Sequence, residues 1–395
     1  MSGRSLWRAR TGVAAAIAVA ALTATACSSS SSSSAPAAAP SSGPASASAA
    51  AALSTVKVGI GPFLDNQTLP LAQELGFAAQ QGIKFQFTTL PSNDAIYQAI
   101  ESGQLDMGAG TLRGLVPLAS TAPTLRNYII RDQFLGFFLV GRKRANPPVY
   151  SALIAKGVAP AAAKLEVLKS WQGKTFDIVG EQNFAPIAAG LAAVGISPKS
   201  VKVDNFADDA KAAAAFQSGV GDYYTGSLPI QSALLLDHPN DYVNVGGYEV
   251  LGPAGLAYDS WTTSQSWLAA NPQLALKVLA VVLKTSRYIN ADLSAAAPKL
   301  ADLVNTASSG NLPVAQVKLL ATQFSDFLTP QQLTTRVFDT ASPFYWRNEI
   351  KLDIQQSSPA PPAGYNPASV ADAQSWYAKF QSTPALVAWV NGPLG

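Results

Sequence analysis

Residues Asn93 to Thr111 read NDAIYQAIESGQLDMGAGT, and a second version, DDAKAAAAFQSGVGDYYTGS, occupies Asp208 to Ser227. Each copy has an acidic residue followed by alanine (Asp94-Ala95, Asp209-Ala210), then an alanine-rich helix, then a stop at Ser-Gly (Ser102-Gly103, Ser218-Gly219). Each places an aspartate three residues after that glycine, Asp106 or Asp222, where a short strand begins. The match runs upstream more loosely: Asn66 to Ala72, ending at Gly82-Ile83, parallels Asn183 to Ala188, ending at Gly195-Ile196. The copies lie about 115 residues apart, too far for a solenoid unit. The repeat reads as two similar lobes.

Around each copy the pattern predicts alternating strands and helices, which favours parallel pairing. The first lobe reads as strands over Val56–Ile60, Lys84–Leu90 and Leu105–Ala109, with helices over Leu71–Gln80 and Asp94–Glu101. Further strands are expected at Asn127–Arg131 and Phe134–Val140. The second lobe repeats the rhythm: strand Thr175–Val179, helix Pro186–Val194, strand Val201–Phe206, helix Asp208–Gln217, strand Asp222–Thr225. Pro147–Lys164 is left unassigned. Leu234–Val250 reads as irregular, Ala257–Thr263 as the crossing back, and Trp267–Asn290 and Val314–Phe327 as amphipathic helices.

The first 27 residues have the form of a secretory signal. A basic stretch from Arg4 to Arg10 precedes an apolar run from Val13 to Leu22 and small residues up to Cys27. That run is short of the ~20 residues a membrane span needs. Cys27 is the sole cysteine, so no disulfide framework is expected. Its setting, Ala24-Thr25-Ala26-Cys27, resembles a bacterial lipobox, with Ala24 where leucine is usual; the expectation is a lipid on Cys27. The serine run Ser28–Ser34 and the Ala/Ser/Pro stretch beyond it have nothing to bury and read as a tether. Such a chain spans roughly 30 Å. The expected organisation is a signal over 1–27, a tether over 28–54, lobe one over 55–135, lobe two over 136–261, and a return to lobe one with C-terminal helices over 262–395.

Composition narrows the function. Of 395 residues, 48% are apolar and 13% charged, which implies large cores and a sparsely charged surface. Three of the 27 basic residues lie in the signal and no acid does, so its removal leaves 24 basic against 24 acidic. No basic arm or basic–aromatic patch points to nucleic acid.

The pieces LPLAQELGFAAQQGIKFQF, SNDAIYQAIESGQLDMGAG and SWQGKTFDIVG are followed by the second Asp-Ala…Ser-Gly…Asp and by TTSQSWLAANPQLALKVLAVVLKTSRYI. In that order and spacing they resemble the periplasmic-binding-protein-like solute receptors of ABC importers. The branch is the one that handles nitrate, sulfonates, taurine and thiamine-pyrimidine precursors. The likeness covers most of Thr55 to about Asn290. It implies an α/β clamshell: two lobes of doubly wound sheet, joined by two crossing strands, with the C-terminal helices packing back on lobe one. It also implies a small-molecule ligand, permease and ATPase partners, an extracytoplasmic lipid-anchored monomer, and neither catalysis nor cofactor nor metal. Asn146–Glu166 looks longer than the family's segment, and Tyr223-Tyr224 stand where the family has small residues.

In open parallel sheets ligands bind beyond the carboxyl ends of the strands, against helix N-termini. That rule selects Phe63, Asn66, Gln67, Ser92, Asn93, Thr111 and Arg113 from lobe one. It selects Asn183, Phe184, Tyr223, Tyr224 and Thr225 from lobe two, with Tyr258 and Trp261 on the return crossing. The aromatic residues suit a planar organic ligand or the core. Arg113 suits a sulfonate, carboxylate or phosphate, or plain solvation. The amides and hydroxyls serve as ligand donors or helix caps. Asp106 and Asp222, at strand starts, read as structural. The second copy differs from the first at Tyr223-Tyr224-Thr225 against Met107-Gly108-Ala109, and ligand identity is expected to lie in that difference. Two rivals stand: a tethered sensor of the same fold, and an enzyme resembling the pyrimidine synthases. For an enzyme the sole histidine, His238, sits in a turn sequence (Asp237-His238-Pro239-Asn240), and no Gly-x-Ser-x-Gly is present.

Overall fold

The computed structural model describes residues 52–179, 183–206, 209–308, 310–356 and 371–394. The segments expected to be a signal and, up to residue 51, a tether lie outside the described residues, as does Cys27. Eleven strands fall among the described residues. They are β1 (Ser54–Ile60), β2 (Ile83–Thr89), β3 (Met107–Thr111), β4 (Leu125–Phe134), β5 (Leu139–Arg142), β6 (Thr175–Val179), β7 (Lys202–Phe206), β8 (Tyr223–Thr225), β9 (Tyr242–Gly246), β10 (Ala257–Ser264) and β11 (Ser325–Phe327). They form two sheets, ordered β11-β4-β10-β3-β1-β2 and β7-β6-β8-β5-β9. In both, three parallel strands (β2-β1-β3 and β7-β6-β8) are extended by an antiparallel one, β10 or β5. The architecture is the two-lobed α/β fold the repeat implies.

The repeat has a physical cause at its invariant positions. Asp106 accepts the Lys57 main-chain N–H at 2.7 Å and donates its own N–H to the Lys57 carbonyl at 3.0 Å. Asp222 does the same to Thr175, at 2.9 and 2.7 Å. Each aspartate therefore locks the third strand of its lobe to the first. Gly103 and Gly219 sit at φ 73° and 106°, the left-handed region in which a helix can end without a Cβ penalty.

Elsewhere local chemistry moved the boundaries. The helix expected over Leu71–Gln80 is two pieces, Thr68–Glu74 and Phe77–Gln80, separated at Gly76. The expected Trp267–Asn290 helix breaks at Asn271, where Pro272 starts the longer piece. The unassigned stretch after Pro147 holds helices Tyr150–Ala155 and Pro160–Ser170. The supposedly irregular Leu234–Val250 contains the end of helix Leu228–Asp237 and all of β9. Helix Leu293–Ser308, with Pro298 inside it, was not anticipated. Ala257–Ser264 is not a crossing: all eight residues pair with β4 inside the first sheet. The passages between sheets are residues 135–138 and 247–256.

Among the described residues three apolar cores result. One lies under the first sheet, where helix Pro272–Ala291 packs with Trp261, Trp346 and Trp376. A second lies outside the second sheet, around Trp171 and Phe176. The third is shared. Leu64 and Leu71 from the first lobe meet Val140, Phe216, Tyr224 and Leu234 from the second, and helices Leu293–Ser308 and Val314–Gln323 cover both. Phe138, on the passage between sheets, stacks on Phe324 at 4.7 Å. Gln316 donates to the Ser232 hydroxyl at 2.5 Å and the Pro229 carbonyl at 3.0 Å. The C-terminal helices thus pack back on lobe one and also strap it to lobe two.

Replacing either aspartate of the repeat removes one strand-to-strand acceptor. Asp106→Ala and Asp222→Ala should each cost about 1 kcal/mol in urea unfolding. Lying in different sheets, they should sum within about 0.5 kcal/mol in the double variant. No loss from either would make the matched geometry incidental.

Candidate functional site

A cavity of about 520 Å³ lies where the two sheets face each other. From the first lobe its wall takes the loop after β1 (Pro62 to Asn66), Asn93 at a helix start, and Gly110, Thr111 and Arg113. β4, β10 and β11 add Arg131, Phe134, Ala257, Asp259 and Ser325. From the second lobe come Val179, Asn183, Asp209 and Gly226 to Pro229, with Phe137 from the passage between sheets. The strap closes one side with Val304, Leu312 and Leu320.

Six of the fourteen residues singled out from sequence fall in this wall: Phe63, Asn66, Asn93, Thr111, Arg113 and Asn183. Phe63 is 45% exposed at the rim. Asn66 is buried, accepting from Gly61 N at 2.7 Å and donating to Asp65. Thr111 caps the following turn by accepting from Gly114 N at 2.8 Å. Arg113 donates to the Leu256 carbonyl at 3.3 Å and lies 5.3 Å from the Phe137 ring centroid, so it spans the passage between lobes. Asn183 donates to the Val179 carbonyl at 2.6 Å.

The other eight are placed elsewhere. Gln67 is buried and holds its own loop through the Phe63 carbonyl at 3.0 Å. Ser92 caps its helix, accepting from Ala95 N at 3.2 Å. Phe184 packs into the second-lobe core. Thr225 is buried within β8. Tyr223 and Tyr224 are core residues: Tyr223 stacks on Phe176 at 5.1 Å, and Tyr224 stacks on Phe216 and donates to Asp209. Tyr258 and Trp261 do not face the cleft either. Tyr258 donates to the Phe344 carbonyl and accepts from Gln133, and Trp261 lies fully buried in the first core.

This corrects the reading of the repeat. The differing residues Tyr223 and Tyr224 fill cores, while the glycine kept four residues after each aspartate, Gly110 or Gly226, borders the cavity. Gly110-Thr111 and Gly226-Ser227 stand four and five residues after Asp106 and Asp222. A Cβ at Gly110 would lie 2.3 Å from the Thr262 hydroxyl, and one at Gly226 would lie 2.1 Å from the Asp209 carboxylate. Each lobe thus places a glycine that its packing requires at the cavity wall.

The polar floor belongs to residues that the sequence reading passed over. Arg131 has a side chain 1% exposed; it pairs with Asp65, donates to the Asp65 carbonyl at 3.0 Å and the Ser260 carbonyl at 2.6 Å, and lies 5.1 Å from the Trp261 ring centroid. Asp132 and Asp259 are opposed across β4 and β10, and carboxylate oxygens of Asp65, Asp132 and Asp259 lie within 4.8 Å of one another. Burial pushes the Asp132 carboxyl up to about 7; Arg131 opposes that shift and Asp65 adds to it. Burial and the neighbouring acids Asp132 and Asp65 push Asp259 well above the carboxylate range. Burial alone would lower the Arg131 pKa, but Asp65, Asp259 and Asp132 raise it. A signal was present: an Arg-Asp doublet inside the apolar run YIIRDQF, and Asp259 inside AYDSWTT, need partners wherever they are buried.

A pH prediction follows from the acid pair. The folded state holds a proton on Asp132 up to about 7, while the unfolded chain loses it near 3.8. The folded state therefore binds more protons between those values, and stability present below the lower one is lost as pH rises through the upper one. Urea midpoints should fall across that window, and Asp132→Asn should flatten the fall. An unchanged slope in the variant would overturn the assignment.

No protein-family model matches the chain, and a search of curated proteins finds no match. Solved structures do match in shape. The alkanesulfonate-binding protein SsuA of Xanthomonas axonopodis pv. citri, bound to MOPS, superposes with TM-score 0.50 at 18% identity, over 73% of this chain and 90% of that one. The periplasmic nitrate-binding protein NrtA of Synechocystis PCC 6803 gives 0.55 at 13% identity, over 87% and 92%. The periplasmic aliphatic sulphonate-binding protein SsuA of Escherichia coli gives 0.53 at 13%, over 67% and 81%. The chain has the periplasmic-binding-protein-like fold of these sulfonate- and nitrate-binding proteins.

Proposed function

We propose that this chain is the substrate-binding component of an ABC-type importer, which captures a small organic ligand between its lobes and delivers it to a permease with its ATPase. The observation that carries this is the cavity, walled from both halves of an internal repeat by the loops that follow parallel strands, where such folds bind ligands. The similar structures named for sulfonate and nitrate binding support it. A lipid on Cys27 and the Ser/Ala/Pro tether would hold the receptor, as a monomer, on the outer face of the membrane. The reading has no catalytic step: His238, the one histidine, is exposed at the end of helix Leu228–Asp237 and is not among the described residues that wall the cavity.

Within this reading Phe63, Asn66, Asn93, Thr111, Arg113 and Asn183 contact ligand, with Gly110 and Gly226 admitting it to the backbone. Phe63 closes over the rim. A ligand that orders the two lobes together would tighten them about residues 135–138 and 247–256, a hinge closure of the kind such receptors use to report occupancy.

A thermal-shift screen of the purified chain against sulfonates, nitrate, pyrimidines, flavins and small amines tests the proposal. A ligand at 100 times its Kd should stabilise the fold by ~2.7 kcal/mol. Phe63→Ala should then weaken binding by about tenfold, since it removes an aromatic wall worth roughly 1–2 kcal/mol, with little change in the melting temperature of the free protein. Binding unaffected by both Phe63→Ala and Arg113→Ala would move the site out of this cavity.

A further inference from the structure

The cavity floor is acidic, and that bears on what the cavity can hold. We infer that the ligand carries a protonated amine or amidinium group, seated on the carboxylates of Asp259 and Asp65, with its apolar part against Phe134 and Phe137. The inference rests on the receptor reading above and deepens it.

Asp65 and Asp259 both line the cavity, and Asp132 stands directly behind Asp259 on the paired strand. Three carboxyl groups gather within 4.8 Å around one fixed cation, Arg131. Fully ionised, the group carries a net charge of about −2, too much for so little water. Arg131 satisfies Asp65 but not the other pair: Asp132 Oδ1, in a side chain 0% exposed, has no hydrogen-bond partner among the described residues and lies 4.0 Å from Arg131 Nε. Asp132 Oδ2 is taken by the Ser325 hydroxyl at 2.9 Å. Such an oxygen is tolerated in one of two ways: a proton shared with Asp259, or a positive group brought in from the cavity.

The charged and titratable groups around Asp259 are Asp132 and Arg131 on β4, Asp65 on the loop after β1, and Tyr97 on helix Asn93–Glu101. Arg131 is the one cation in that set, and three of its five N–H groups go to Asp65 and the Ser260 carbonyl. An anion placed on this floor would stand against the Asp259 carboxyl, inside a cluster of three carboxyl groups around one guanidinium. A sulfonate or nitrate therefore fits this floor badly. An organic cation matches the sign of the floor: its N–H groups donate to Asp259 and Asp65, and its charge replaces the shared proton, which leaves to solvent. Phe134 and Phe137, in edge-to-face contact at 5.2 Å, offer the apolar wall such a ligand needs.

The test uses full-length protein and probes that differ in charge: benzamidine and phenethylamine as cations, benzyl alcohol as neutral, benzenesulfonate and nitrate as anions, and Ca²⁺, Mg²⁺ and Zn²⁺ alone. By calorimetry the amines should bind, releasing up to one proton per site, and should bind more tightly as pH rises through 7. Asp259→Asn should weaken them about 30-fold or more while the free protein keeps or gains stability, because asparagine mimics the protonated acid. Asp65→Asn, which leaves the Asp132–Asp259 pair intact, should weaken them to a lesser degree. Binding of benzenesulfonate or nitrate without the amines would overturn the ligand class and leave the receptor reading standing. A response to a metal alone, lost in Asp259→Asn, would make the cluster a metal site and overturn the inference. Silence from every probe at millimolar concentration would overturn the inference and leave the receptor reading to the wider ligand screen.

Discussion

The pairing of β4 with β10 is the constraint on which the rest of the molecule depends. The chain leaves the first lobe just after β4 and re-enters it just before β10, so this one antiparallel ladder fixes where both passages begin. Arg131 ties it to the rest: from β4 its guanidinium reaches the Ser260 carbonyl on β10 and the Asp65 loop after β1. Three segments far apart in sequence thereby converge at one end of the first sheet. The site's acidity is a by-product of that convergence, since each segment brings its own carboxylate.

The scaffold was legible in the sequence because its repeat rests on local rules. Asp106 and Asp222 stand at fixed distances from Gly103 and Gly219, and both the turn and the strand lock need those residue types at that spacing. What lay hidden were consequences of tertiary contact. Leu293–Ser308 carries a proline that argues against a helix, yet apolar cover from both lobes holds it helical. β9 lacks clear alternation, and pairing with β5 makes it a strand.

The site was half legible for a related reason. The rule that ligands meet strand ends identifies the loops correctly but not which side chain on each loop turns inward. Tyr223 and Tyr224 look like ligand-facing aromatics, whereas neighbouring Phe176 and Phe216 draw them into cores. Gly110 and Gly226 have no side chain to attract notice, yet both border the cavity, and close packing behind them leaves no room for a Cβ.

The strap has a consequence for how the chain reaches its fold. Residues 209–237 of the second lobe bury Ala212, Phe216 and Leu234 partly under helices that begin at Leu293 and end at Gln323. During synthesis, or emergence from any narrow passage, the second lobe precedes its own cover by more than fifty residues. Until those helices arrive, that apolar face stays open to water or to other chains. The two lobes are therefore not separable folding units: a chain stopped at residue 292 should bind a hydrophobic dye that the whole chain excludes. An uncoloured, cooperatively melting fragment would show instead that the second lobe completes its core alone.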